Sequence, residues 1–489
     1  MSTVKRVAKN TLWLTLAEIG AKGLGFVIAI IIARYLGPED FGRYAFAISF
    51  VTLFMVLADF GMRPLLVREV ARNNQLAEKY LANFLTLKIW LTFVLFGAVA
   101  LALWIYGTPL DLFILTMVAA VEIGINSFSE IFRGVFQAFE RMKYETTSRI
   151  LNKFLILVGV VAAVVLGLRT LSIMLVLLIS GIVTVIYTIV VCQKHFAKIK
   201  LAFDKVFIKE ALKQSALFAV TNIFISVYFK IDTVMLEKMR SATEVGYYNT
   251  AYELVFAFMF VPTVFSAAVY PVLSRFFKEN PGKIQALVAR FAKYYLLAAI
   301  ALVTFLMLLG GPLIKLFFGA QYEPSVFLFQ QLAVVLIFVF LNYLSGTLLN
   351  ASNKQVVSTW ASGICAAANV GLNLWLIPVY GASGAAVATI ITEAILCLIT
   401  FIYIDRRLYR IFTRENLFKG FKVFLAVIAT GVLAYFSAKV NIYLGTVASL
   451  GLFIGLIFAL RLYNPQDREY LKVILRRKST PPSVPGDSE

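Results

Sequence analysis

Glu18 and Lys22 stand four residues apart in an otherwise apolar run, and Glu122, Asn126, Glu130 and Arg133 follow one another at steps of four, four and three. On a helix each set falls on one face, so the second set makes a polar stripe along a segment that is hydrocarbon elsewhere. Lys230 and Asp232 are two apart and point in different directions, so one cannot simply neutralise the other. Glu253 and Glu393 are isolated acids in apolar surroundings. A charge at mid-membrane costs about 2.5–3.5 kcal/mol on insertion scales and is kept where it meets a partner or a wet cavity. The chemistry open to these residues is therefore binding and passage of polar solutes. Competing readings are an ion pair that orients helix 1 for Glu18 and Lys22, snorkelling to the interface for Lys230, and locking of neighbouring helices for the stripe. Glu253, Glu393 and Asp232 are candidates for ion coupling. Nothing points to bond-making chemistry: His195 has no acid/base partner nearby in sequence, Cys192, Cys365 and Cys397 show no pairing or metal-ligand spacing, and the Gly-x-x-x-x-Gly-Lys-Ser/Thr phosphate loop is missing. No metal and no cofactor is expected, and the chain is not expected to be an enzyme.

Helices immersed in lipid must position these residues. The 489 residues are 61% hydrophobic and 15% charged, with a mean hydropathy of +0.85, more apolar surface than a water-soluble domain of this length could hide. Apolar runs near the roughly 20 residues that one helical span requires recur from 11–33 and 42–62, through 246–272, to 417–438 and 442–462. The reading is an all-α polytopic membrane protein of about fourteen transmembrane helices, because backbone groups in hydrocarbon must be satisfied within each segment. The run from Thr11 is too long and too polar in its middle for a cleaved signal peptide. Most of the 46 Lys and Arg residues behind the net charge of +20 lie in or beside every second connection, with Lys22 and Lys230 inside spans. That is the positive-inside pattern; it places both termini in the cytoplasm and excludes a gathered nucleic-acid surface.

The division expected is an N-lobe over 1–192, a cytoplasmic linker over 193–210, a C-lobe over 211–404, two further helices within 405–462, and a tail over 463–489 that is partly disordered. An internal echo supports the two lobes: Gly42, Tyr44 and Ala47 match Gly246, Tyr248 and Ala251, and Pro64-Leu-Leu-Val-Arg68 matches Pro271-Val-Leu-Ser-Arg275. Six spans separate the copies, so both have one orientation, and parallel repeats about an axis normal to the membrane are a transporter architecture.

Four segments carry a family resemblance: Ala33-Arg-Tyr-Leu-Gly-Pro-Glu-Asp-Phe-Gly-Arg-Tyr44, Phe132-Arg-Gly-Val-Phe-Gln-Ala-Phe-Glu-Arg-Met-Lys-Tyr144, Asp232-Thr-Val-Met-Leu with Val245-Gly-Tyr-Tyr-Asn-Thr-Ala-Tyr252, and Tyr380-Gly-Ala-Ser-Gly-Ala-Ala-Val-Ala-Thr389. In that order the chain resembles the polysaccharide-transport branch of the multidrug/oligosaccharidyl-lipid/polysaccharide exporter superfamily. The resemblance implies two six-helix bundles around a V-shaped central cavity, with two extra helices at the end. It also implies a flippase that moves an oligosaccharide on a polyprenyl phosphate or pyrophosphate from the cytoplasmic to the outer leaflet of the plasma membrane by alternating access. Lys22 stands where cell-wall-precursor flippases of the superfamily carry a cavity arginine; Ile28 and Ala29 stand where those proteins continue with an Arg-Asp pair, a departure that argues against their substrate. On this reading Lys22 and Lys230 meet the phosphate or a sugar acid, and Glu18, Glu122, Asn126, Glu130 and Arg133 line the passage. The expected partners are the lipid-linked oligosaccharide and membrane lipids, with a glycan polymerase or glycosyltransferases as further candidates and a monomer as the expected state. The alternatives are an ion-coupled exporter of small molecules or drugs and, less well supported, a polyprenyl-dependent membrane glycosyltransferase; the short outer loops lack the Asp-x-Asp that the latter needs. A reporter fused after Lys200 should read cytoplasmic and one after Arg240 external, and the opposite result in a topology assay would overturn the orientation.

Overall fold

The computed structural model describes residues 3–279, 281–411 and 442–459 and single positions between 413 and 433, with side chains from Gly20 onward at all but a few positions. The described residues form helices α1 (Thr3–Asp59), α2 (Met62–Arg72), α3 (Ala77–Tyr106), α4 (Leu110–Ala138), α5 (Met142–Val165), α6 (Thr170–His195), α7 (Lys205–Met239), α8 (Ala242–Ala257), α9 (Phe260–Glu279), α10 (Pro281–Phe317), α11 (Ser325–Ala333), α12 (Val335–Ala351), α13 (Gln355–Tyr380), α14 (Ala382–Arg407) and α15 (Ile442–Ala459). Eleven helical stretches among them are long and apolar enough to cross a membrane.

The first stretch holds two of the expected spans. α1 is two helices meeting at Gly37, whose φ of 77° and ψ of 174° interrupt the helical path just before Pro38. Glycine tolerates that positive φ, and proline is preset to begin the second helix, where its missing N–H is no loss. The expected span 246–272 is divided, because α8 ends at Ala257 and α9 starts at Phe260. Pro262 accounts for the break: inside a continuous helix its ring would strike the carbonyl of Phe258, four residues back. Gly107 (φ 73°) closes α3 by donating its N–H to Leu103 and Trp104 carbonyls, and the Asp204 carboxylate caps α7 by accepting from the Val206 and Phe207 amides at 3.1 and 3.0 Å. The expected span 417–438 falls almost entirely outside the described residues, and α15 lies within the expected 442–462.

Two compact units gather these helices. The first holds residues 1–253, 317–325 and 366–385; the second holds 254–316, 326–365 and 386–489. This is a division by packing, distinct from the division by sequence repeat into lobes. In the first unit α4 packs on α1, α3, α5 and α6, and α1 also lies against α5 and α7. Trp90, Phe93, Trp104, Ile179 and Ile186 are exposed, whereas Glu122, Ser127, Arg133, Glu145 and Asn152 are buried. Apolar side chains outward and polar ones inward is the arrangement that lipid as solvent demands. In the second unit Tyr295 shares a hydrogen bond of 3.0 Å with Ser266, and its ring meets Phe340 edge-on.

Lys88 in α3 is fully buried and donates to the Ala58 carbonyl at 3.1 Å and to Asp59 Oδ1 at 3.2 Å. The pair fixes α3 to the end of α1, and removing one member leaves the other unanswered. Lys88→Met should therefore destabilise the protein by about 3 kcal/mol, seen as a lower Tm in detergent, while Lys88→Met combined with Asp59→Asn should recover most of the loss.

Candidate functional site

The stripe on α4 divides between two polar clusters, both within the first unit. Around its Arg133 end, Arg63 of α2 reaches Glu130 and donates through Nη2 to Glu145 Oε1 of α5 at 3.0 Å. Arg133 pairs with Glu130 and donates from Nε to the Ser148 hydroxyl at 2.9 Å. Arg149, one turn along α5, donates to the same Glu145 oxygen at 3.1 Å. Three guanidiniums thus share two carboxylates, an excess of one positive charge. Arg133 and Glu145 are buried, whereas Arg63, Glu130 and Arg149 keep between 22% and 29% of their side-chain surface accessible. A charge network that is largely desolvated is electrostatically strong.

Two turns further along α4, Glu122 accepts from Asn126, and Asn126 rests against Gly181 of α6, where an added Cβ would stand 3.2 Å from its Nδ2. Small residues allow this close passage of α4 and α6. Glu122 lies within electrostatic reach of Lys153 on α5 and Tyr44 on α1, and Glu253 on α8 acts on both Lys153 and Tyr44. Glu253 is exposed, so this meeting of four helices opens onto accessible space. α1 passes α5 with Gly20 beside Ile150 and Gly25 beside Lys153, where an added Cβ would stand 3.9 Å from the lysine Nζ. The exposed Lys22 is carried on the α1 stretch between those two glycines. The Glu18 side chain lies outside the described ones.

Lys230 and Asp232 diverge, as their spacing requires. Lys230 is partly exposed and makes no ion pair among the described residues. Asp232 is buried, accepting from the Tyr248 hydroxyl at 2.9 Å and from Asn373 Nδ2 at 2.6 Å, while Asn373 also donates to Asn369 at 3.0 Å. The two residues that follow Tyr248 on α8, Asn249 and Thr250, are also buried, and Asn249 bonds Thr233 of α7 at 3.2 Å. In the second unit, buried Glu393 accepts from Asn342 Nδ2 at 2.6 Å, and Asn342 also donates to its backbone carbonyl at 3.1 Å. Asn342 and Asn373 thus bond helices together, and Asn369 supports Asn373 from within α13.

Sequence reading missed Arg63, Arg149, Lys153, Glu145 and Lys88. The signal was present in the steps of four from Glu145 to Arg149 to Lys153, the same spacing that reveals the α4 stripe. Those cations stand near an expected loop and were absorbed into the loop charge that fixes orientation.

The chain is similar to proteins of known kind. A probable low-salt glycan biosynthesis flippase of Haloferax volcanii is 21% identical over 465 residues, covering 94% of this chain and 95% of the relative. A capsular polysaccharide biosynthesis protein of Staphylococcus aureus is 23% identical over 413 residues, 82% of this chain and 100% of the relative. Among solved structures, a lipid II flippase in an inward closed conformation aligns with a TM-score of 0.73 at 17% identity over 93% of this chain and 100% of its own. A multidrug resistance transporter in an inward-facing conformation aligns with a TM-score of 0.67 at 15% identity over 82% and 98%. These likenesses establish that the chain shares the helical fold of those two structures. The family model described as polysaccharide biosynthesis protein matches residues 7–277, and with more than half of its length matched the chain belongs to that family.

Proposed function

We propose that this protein is a flippase that carries a polyprenyl-(pyro)phosphate-linked oligosaccharide from the cytoplasmic to the outer leaflet of the plasma membrane by alternating access, for assembly of a surface polysaccharide or glycan. The observation that carries the reading is the ionisable site on α1, α4, α5 and α8, with Lys153 between Glu122 and Glu253 and the guanidinium cluster one step beyond it. Such a site inside lipid-immersed helices suits a substrate whose tail stays in hydrocarbon while its phosphate head must cross. Lys22, Lys153 and Arg149 offer charge-assisted hydrogen bonds to phosphate oxygens. Glu130, Glu145 and Glu122 hold those cations in place when no phosphate is present, so binding exchanges a carboxylate partner for a phosphate partner. Lys230, accessible on α7, is a second point of contact for phosphate or a sugar acid. With the Gly61 end of the first unit toward the cytoplasm, the guanidinium cluster meets the head group first.

The buried Asp232, with Asn369, Asn373 and Tyr248 around it, and the Asn342-bound Glu393 are the acids through which a coupling ion would act, together with the exposed Glu253. The fourteen-helix, two-bundle arrangement with cytoplasmic termini belongs to the same proposal; the eleven apolar stretches, the paired spans of α1 and the family membership support it.

Lys22→Ala, Lys153→Ala and Lys230→Ala should each reach the membrane at normal levels. Loss of one charge-assisted contact, about 1.5–3 kcal/mol, should lower surface glycan labelling by roughly ten- to a hundredfold. Undiminished labelling by all three variants at equal protein levels would remove these lysines from the mechanism, and drug efflux with no effect on glycan would favour the exporter. Asp232→Asn, Glu253→Gln and Glu393→Gln should separate the coupling acids: a variant that still binds substrate but no longer responds to an imposed proton or sodium gradient in proteoliposomes marks the coupling site.

A further inference from the structure

Gly42 and Gly246, the glycines shared by the internal echo, pack against each other's copy in a reciprocal way. An added Cβ on Gly42 would stand 1.7 Å from the Ala242 carbonyl oxygen and 2.9 Å from the Gly246 nitrogen; one on Gly246 would stand 1.9 Å from the Pro38 carbonyl oxygen. Pro38 precedes Gly42 by the same four residues by which Ala242 precedes Gly246. Each glycine therefore rests on the start of the other copy's helix, the pattern of an isologous two-fold contact formed within one chain. The contact is backbone on backbone, a distance that only glycine at both positions permits.

Its surroundings are those of a joint that can part. The second half of α1 begins at the Gly37 break, and α8 begins at Ala242, so both partners meet near helix starts and can tilt without breaking their own ladders. Polar groups at the surface edge hold the neighbouring turns, Arg240 exposed and Glu244 half-buried. Arg240 donates to the Ile377 and Pro378 carbonyls near the end of α13 at 3.0 and 2.6 Å, and the Glu244 carboxylate accepts from the Ala382 amide at the start of α14 at 2.9 Å. These are caps of a helix C-terminus and a helix N-terminus, and water can replace them when they separate. The Tyr322 hydroxyl donates to the Ala33 carbonyl at 2.7 Å, and burial pushes its phenol above the ordinary range, so it remains a donor.

Immediately beyond the contact lies the ionisable site. Tyr44 follows Gly42 by two residues and Glu253 follows Gly246 by seven, which on a helix is about 10 Å, and these two side chains act on one another. We propose that the Gly42–Gly246 contact is the seal that closes the passage over the Tyr44, Lys153 and Glu253 site, and that the two glycine turns must separate for the site to open at that end. The Arg240 and Glu244 caps act as its latch.

Ser49, buried and two turns past Gly42 on the same face, serves as the reporter position. A Ser49→Cys variant with Cys192, Cys365 and Cys397 replaced by serine would be exposed to a membrane-impermeant maleimide in right-side-out and in inverted vesicles. With both glycines in place, labelling from the side bearing the Gly37 turn should be slow. Gly42→Ala or Gly246→Ala should raise it at least about tenfold from that side alone, as expected of a shifted two-state population. Should the glycine variants fail to insert, Arg240→Ala and Glu244→Gln, which leave the packing intact, should raise labelling in the same direction by a smaller factor. Unchanged labelling in inserted variants, or fast labelling with the glycines in place, would overturn the seal. The readout is thiol accessibility, so its outcome is independent of whether the cargo is a lipid-linked glycan.

Discussion

Hydrocarbon offers no partner to a charge, so every ionisable side chain on these helices has to be answered by the protein itself or by water the protein admits. That single constraint orders the first unit. Lys88 is answered by Asp59 and a carbonyl, Arg133 by Glu130 and Ser148, and Asp232 by a tyrosine and an asparagine. Each answer ties two or more helices together, so the polar groups that lipid makes expensive are also what fixes helix rotation, in place of the hydrophobic effect that would do so in water. Lys22 and Glu253, by contrast, keep much of their surface accessible.

Much of this was legible in the sequence because membrane helices obey two strong rules, length of apolar run and period of polar residues. The α4 stripe was visible from spacing alone, and so was the divergence of Lys230 from Asp232. The exporter-superfamily resemblance in four ordered segments agrees with the family shown by residues 7–277. What spacing could not supply was the partner on another helix. Nothing near Arg63 in sequence points to Glu145, and nothing near Asp232 points to Asn373, since those encounters depend on tertiary packing. Charge counting also works against site finding. Arg149, Lys153 and Lys88 each support the orientation when tallied as loop charge, and that tally hides the fact that a helix carries them inward. The break at Phe258 and Met259 is a milder case: within the single expected span 246–272 the helix gives way just before Pro262, because the clash falls on the residue four positions back.

The internal echo acquires physical content from the backbone. Single glycine matches in an apolar chain say little, but a pair whose members each leave room for the other copy's carbonyl is a constraint on both at once. Replacing either would drive two backbones apart, so the two positions are coupled through a contact, and the repeat is kept where that contact needs it. Ala47 and Ala251, also shared, are both fully buried one turn further in, as expected where two helices diverge slowly from a point of closest approach.

Around that common geometry the side chains have taken opposite characters. Tyr44 faces Glu122 and Glu253 beside a lysine, whereas its counterpart Tyr248 gives its hydroxyl to Asp232 among amides. One copy thus presents cations balanced by replaceable carboxylates, and the other presents an acid supported by neutral donors. The head-group contact and the coupling acids proposed above would need such opposite surroundings, which one shared backbone contact can carry by changing the side chains around it. On the proposed reading, separating the glycine turns would disturb both surroundings, because Tyr44 and Tyr248 each lie on a helix that starts at that contact.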